Sequence, residues 1–280
     1  MPLPAQFMPS ALSLIAVFAW GVSDFLGGYA SRRGNPFVVA CVVNGGGLIL
    51  MALFARAIHS PVPPSHNMEW AMAGGAIGGT GLAIFYGALA KGKMGLTAPI
   101  AALLGAAIPT AFGMITEGLP PALNIFGFIL AGIGIWLISR NEGGGSDGIG
   151  LAALAGIGFS GFYLCMREAG NGSALWLAAS SRTGGLLATA TVVLFRRNFF
   201  DISSESAAWG FLGGILDVTG TALFVRAAQI GRLDAAVVLT SLYPAITVLL
   251  ARIVLKEHFT RWKAIGMLAA LLAVPLVAGK

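Results

Sequence analysis

Residues 70–92, WAMAGGAIGGTGLAIFYGALAKG, return as residues 209–231, WGFLGGILDVTGTALFVRAAQIG. At a constant offset of 139, Trp70 falls on Trp209, Gly74-Gly75 on Gly213-Gly214, and Thr80-Gly81 on Thr219-Gly220. Ala83, Phe85, Ala88 and Gly92 likewise fall on Ala222, Phe224, Ala227 and Gly231. Nine identities in 23 positions, with a tryptophan opening both stretches, exceed what shared apolar composition would give. After a one-residue slip Glu117 and Ile125 meet Glu257 and Ile265 at offset 140. The chain reads as a duplicated unit of about 140 residues.

Each unit is mostly membrane-spanning sequence. Apolar residues make up 57% of the chain and charged residues 10%, where a soluble domain carries roughly 25% charged. A bilayer removes the need to hide that much apolar surface. Ten spans follow, over 10–30, 36–56, 70–90, 95–116, 122–139, 148–168, 173–195, 207–228, 233–254 and 262–278. Each approaches the ~20 apolar residues that cross a bilayer as a helix. The 40 glycines suit close helix approach in a medium with no hydrophobic effect between helices. Cys41 and Cys165 lie inside apolar segments, so neither a disulfide framework nor a metal spacing is present. The net charge of +6 sits in short connections and reads as topology, not as a nucleic-acid surface. The first apolar run is long enough to span and is expected to stay, with no separate signal peptide.

The fold class expected is all-α integral membrane, ten transmembrane helices in two inverted five-helix repeats. Five spans per half is odd, so the second half enters the membrane from the opposite side. The expected division is 1–140 for the first repeat, a Gly-rich joint at 141–148, and 149–280 for the second. Inverted repeats place a substrate site near the midplane between the halves and can exchange inward-open for outward-open geometry. Transport is the leading expectation. A duplication that kept only scaffold glycines is the plain alternative.

Local features carry a family resemblance: Trp20-Gly21 in the first helix, the run Ala227-Ala228-Gln229-Ile230-Gly231-Arg232 leading into the ninth, Tyr243-Pro244 within it and Lys256-Glu257-His258 at its end. With the helix count they resemble the drug/metabolite transporter superfamily in its EamA-like branch. The Pro244-to-Glu257 interval matches that family; in the first repeat Glu117 is present, but Leu104 stands at the proline's place and Pro109 is displaced. Length and helix count look most like the YddG-type amino-acid exporters. The resemblance implies a multi-pass protein of a bacterial inner (plasma) membrane, and a pathway lined by helices one, three, four, six, eight and nine.

Charges at membrane depth are costly unless paired or hydrated, so they point to a pathway. Arg182 lies near the middle of the seventh span, Asp217 near the middle of the eighth, and Asp24 in the second half of the first. Asp217 stands where the first repeat has Gly78. Thr221 and Phe224 follow it on the same helical face. Asp217 with Thr221 can receive an ammonium, and Arg182 in the patch Ser180-Ser181-Arg182-Thr183 can receive a carboxylate, the pattern of an amino acid. The alternative is a buried Arg182–Asp217 ion pair that never meets substrate. Asp24 follows Trp20 by one turn with Ser23 beside it, either a titrating carboxylate or a hydrated residue near the interface. Trp20, Tyr86, Tyr163 and Tyr243 lie deep enough to line a cavity or simply to pack. Pro99, Pro109 and Pro244 interrupt the fourth and ninth spans, freeing a carbonyl for substrate, for bending, or only for a kink.

Gly87-Ala88-Leu89-Ala90-Lys91-Gly92-Lys93-Met94 nearly spells a phosphate loop, but Met94 replaces the Ser/Thr and two membrane helices flank it. No nucleotide, cofactor or metal is expected, no nucleic-acid partner, and no enzyme activity. The expected partners are a small-molecule substrate and the lipid bilayer, and one chain with both halves can act as a monomer. Ten Lys/Arg on the odd-numbered connections against four elsewhere put the odd connections in the cytoplasm. The family resemblance implies the reverse, with both termini cytoplasmic. The function expected is a secondary transporter that exports amino acids or similar small polar metabolites by alternating access; the alternative is efflux of drugs or organic cations held by Asp24 or Asp217.

Overall fold

The computed structural model describes residues 7–138, 147–197, 201–258 and 260–278. Their regular elements are all helices: α1 (Met8–Ser31), α2 (Pro36–Ala57), α3 (Ser65–Lys91), α4 (Met94–Glu117), α5 (Ala122–Ile138), α6 (Ile149–Glu168), α7 (Ala174–Arg196), α8 (Ser204–Ile230), α9 (Leu233–Thr240), α10 (Pro244–Val254) and α11 (Arg261–Ala278). Helices α9 and α10 together make one apolar stretch, the ninth span. Counted so, eight stretches are long and apolar enough to cross a membrane, α5 is a shorter apolar helix, and α11 packs along α5. A helix closes its backbone hydrogen bonds within itself, which hydrocarbon demands. The outward faces stay apolar: Phe18, Leu53, Phe126, Leu194 and Leu271 are all more than half exposed, a surface made for lipid.

Local chemistry sets the helix ends. Asn35 caps α2, its side chain accepting from Phe37 N at 2.9 Å, and Pro36 supplies a preformed first turn. Ser173 and Ser203 cap α7 and α8 in the same way. Residues 141–146 of the expected joint lie outside the described residues. Asp147 and Gly148 form the turn into α6, where Gly148 takes a left-handed φ of 82°.

The repeat is visible as geometry. Helices α3 and α8 are both 27 residues long, and their ends fall at the offset of 139. Each stops at an extended glycine, Gly92 or Gly231, whose N–H returns to Ala88 O or Ala227 O. Their packing is reciprocal, since α3 lies against α6 and α7 while α8 lies against α1 and α2. Each half therefore lends its third helix to the other.

The connections sort to two faces. On the odd face Asn35 N donates to Asp201 O at 2.8 Å and Arg33 pairs with Glu205 at 2.9 Å. On the even face Ser60 meets Ser173 at 2.6 Å, and Gln229 donates to Gly170 O at 3.1 Å. Connections one and seven share an end, as do two, six and eight, which is the inverted arrangement.

Pro99 and Pro109 sit inside a continuous α4 instead of interrupting it. Pro109 removes the donor that Gly105 O would have used, and Ser160 of α6 replaces it, donating to Leu104 O at 3.0 Å and Gly105 O at 3.2 Å. The ninth span does break. Leu242 N and Tyr243 N bond back only three residues, to Leu239 O and Thr240 O, and Pro244 opens α10.

Candidate functional site

Six spans close around a central cavity of about 60 Å³. Helix α1 gives Trp20 and Asp24, α6 gives Phe159, Phe162 and Tyr163, α7 gives Ser181 and Arg182, α8 gives Asp217 and Thr221, and the ninth-span break gives Tyr243. Helix α3 gives a nearly bare wall of Gly75, Gly78, Gly79 and Leu82. The glycines are needed for approach: a Cβ on Gly75 would overlap Ser181 O, and one on Gly79 would stand 2.6 Å from Gly185 Cα. The lining includes the seventh span and omits the fourth, where the family resemblance implied the opposite. Phe159 covers α4, standing against Gly105.

The two deep charges on α7 and α8 hold each other. Arg182 Nη1 bonds the Asp217 carboxylate and lies 3.4 Å from Asn44 Oδ1, while Nη2 donates to Thr221 Oγ1 at 2.8 Å. Asn44 is fixed in turn by donating to Ala40 O at 2.8 Å. Ionic hydrogen bonds of this kind are stronger than neutral ones, and at this depth neither charge is viable without the other. Gly75 of α3 rests on Ser181 O and its mate Gly214 of α8 on Val43 O, which makes Val43 and Ser181 equivalent. On that register Arg182 is the mate of Asn44, as Asp217 is of Gly78. The ion pair has no counterpart in the first half, where Asn44 and Gly78 stand instead.

Asp24 is different. Its side chain lines the cavity at 5% residue exposure, and no ion pair or hydrogen bond to it forms among the described residues. Ser181 Oγ, Arg182 Nε and Tyr243 Oη are also buried without a hydrogen-bond partner among those residues. The walls around them are aromatic, with Trp20 and Tyr163 centroids 6.2 Å apart.

Of the nine binding candidates read from sequence, Trp20, Asp24, Tyr163, Arg182, Asp217, Thr221 and Tyr243 meet at this cavity. Ser23 and Tyr86 do not line it. Ser23 donates to Gly213 O at 2.8 Å, tying α1 to α8, and Tyr86 is fully buried against Gly27. Trp20 has a second task, since its Nε1 donates to Asp217 O at 3.1 Å. Pro244 stands beside the cavity-lining Tyr243, whereas Pro99 and Pro109 are absent from the lining. Asn44 and Phe162 are not among the candidates read from sequence, although an amide at Asn44 inside an otherwise apolar span is a readable signal. Among the described residues no group of three or more His, Cys, Asp or Glu could hold a metal ion. A separate cavity of about 280 Å³, lined mainly by apolar side chains, lies between α4, α5 and α9.

The fold defines a multi-pass integral membrane protein built as inverted halves. Residues 146–279, the second half, match the EamA-like transporter family. Over that stretch, a little under half of the chain, the sequence is similar to a family of membrane transporters. Among solved structures 27 chains match. One, described only as "Crystal structure of protein", is similar with a TM-score of 0.75 and 14% identity, over 96% of this chain and 98% of its own. At that identity the likeness speaks for the fold alone. No curated protein matches the sequence.

Proposed function

We propose that this protein is a secondary transporter that moves small organic ammonium compounds by alternating access between the inverted halves 1–140 and 149–280, with the central cavity as the binding site. The observation that carries this reading is Asp24. Arg182 and Asp217 neutralise each other, so Asp24 is the one carboxylate at the cavity with no counter-charge among the described residues. An uncompensated carboxylate at membrane depth needs a cation, a proton or a cargo ammonium. Trp20, Tyr163 and Tyr243 line the same cavity, and aromatic rings attract cations.

A second reading, the amino-acid cargo of the YddG-type exporters, is favoured by a separate observation. Ser181 Oγ and Arg182 Nε are unpartnered donors at the same cavity, able to receive a carboxylate while Asp24 takes the ammonium. Counterflow into proteoliposomes separates the two. Accumulation of labelled organic cations, lost by at least ~30-fold in Asp24→Asn, is the expected result, the factor that ~2 kcal/mol of lost ion pairing gives. Accumulation of zwitterions alone would select the amino-acid reading. No accumulation of either class by folded protein would sink both.

A further inference from the structure

The cavity of about 280 Å³ between α4, α5 and α9 shares no described lining residue with the central one. On α4 it follows one helical face, at steps of one, three and four residues from Leu103 to Met114. That stripe is about 16 Å long, at 1.5 Å of rise per residue. Helix α5 contributes Ala131 and Gly132, side chains too small to close the gap. A Cβ added at Gly132 would meet nothing within 4 Å. The other close-packing glycines of α5 face away, Gly127 against Val277 and Gly134 against Gly266 O of α11. Val238 and Ser241 of the ninth span, both buried, form the back of the groove.

Its open side faces lipid. Among the described lining residues Ala107 and Ala111 are the exposed ones. Their neighbours on α4, Ile108 and Ile115, are exposed, as are Ile129 and Ile133 on either side of Ala131 and Gly132. An apolar rim of this kind, on helices that cross the membrane, borders hydrocarbon. Water suits the groove poorly. A void of this size would hold several waters, and each needs two to four polar partners. The described side chains offer two hydroxyls. Ser241 Oγ already donates to Val237 O at 2.7 Å, which leaves Thr110 Oγ1, buried without a partner among the described residues. An empty groove would instead forfeit dispersion contacts along every wall. A stripe of about 16 Å is half of the ~30 Å hydrocarbon core, the depth that the tails of one leaflet fill.

We propose that this groove is an acyl-chain site, holding one hydrocarbon tail of a bilayer lipid. The seated tail completes the packing of α5 against α4 and backs the ninth span at Ser241, just before the break. Tyr243, on the other side of that break, lines the central cavity. The lipid therefore supports from outside the segment that the central cavity uses from inside.

The test uses the full chain in proteoliposomes of phosphatidylcholine, part of it carrying a photoreactive diazirine at mid-chain. After illumination, peptide mapping should find the tail attached at Phe128 and Val238. These line the groove at 9% and 7% exposure, out of reach of lipid that merely surrounds the protein. Gly132→Trp fills the groove from α5, and Ala107→Trp fills it from α4. Each should lower labelling at Phe128 and Val238 at least about tenfold, the factor for 1.4 kcal/mol of lost binding. Labelling at Leu271, on the exposed side of α11, should stay as it was. Wild-type labelling confined to exposed positions such as Phe126 and Leu271 would overturn the site. So would labelling at Phe128 and Val238 that neither variant lowers. Labelling there by a diazirine-bearing alkylammonium and not by the lipid would overturn the lipid assignment and give the groove to the tail of a cargo.

Discussion

Arg182 and Asp217 show how unevenly a buried pair responds to change. Removing one partner strands the other at membrane depth, and Asp217→Leu alone should cost about 3–5 kcal/mol. The double change Arg182→Met with Asp217→Leu removes both charges and should recover most of that loss, read as thermal unfolding in detergent. A double variant as unstable as the single one would show that Thr221 and Asn44, the other partners of Arg182, hold the helices more than the pair does. Asp24 responds in the opposite sense. It has no partner to strand, so Asp24→Asn should leave unfolding unchanged or raised while transport falls.

At the level of helices, glycine and proline decide who approaches whom. Gly75→Ala would drive a methyl into the Ser181 carbonyl and should destabilise by about 1–3 kcal/mol, because backbone cannot step aside as a side chain does. Gly132, whose added Cβ meets nothing within 4 Å, is the control: there alanine should be neutral or stabilising through helix propensity. The fourth span stays a continuous helix through Pro109, with Ser160 serving the freed carbonyl. Ser160→Ala should cost about 1–3 kcal/mol, the penalty of a buried acceptor left bare, and a neutral result would mean another donor takes over. The ninth span lacks such help and breaks where Thr240 and Ser241 turn their hydroxyls onto Ala236 O and Val237 O at 2.8 and 2.7 Å.

Across the whole molecule the halves are interlocked, not merely docked. Since α3 packs in the second half and α8 in the first, neither half can bury its own third helix alone. Residues 1–140 and 149–280 produced as separate chains should co-purify on a tag carried by one of them, and each produced singly should be degraded or aggregate. A half that is monomeric and stable by itself would contradict the interlocking.

Hydropathy, the repeat offset and the odd span count determined the class of this protein by themselves, because a bilayer accepts only helices or closed barrels and each helix must be about one bilayer long. The rare deep charges marked Asp24, Arg182 and Asp217 for the same reason, since hydrocarbon makes every such residue conspicuous. Sequence alone left open whether Arg182 and Asp217 meet each other or a ligand, because one-dimensional spacing fixes a helical face and not the rotation of one helix against the next. Only the tertiary structure joined them, left Asp24 alone at the cavity, turned Ser23 and Tyr86 away from it and brought Asn44 to Arg182. It also set Arg32 and Arg167 against glutamates 225 and 50 residues away along the chain, a pairing that depends on how two inverted halves close on one another.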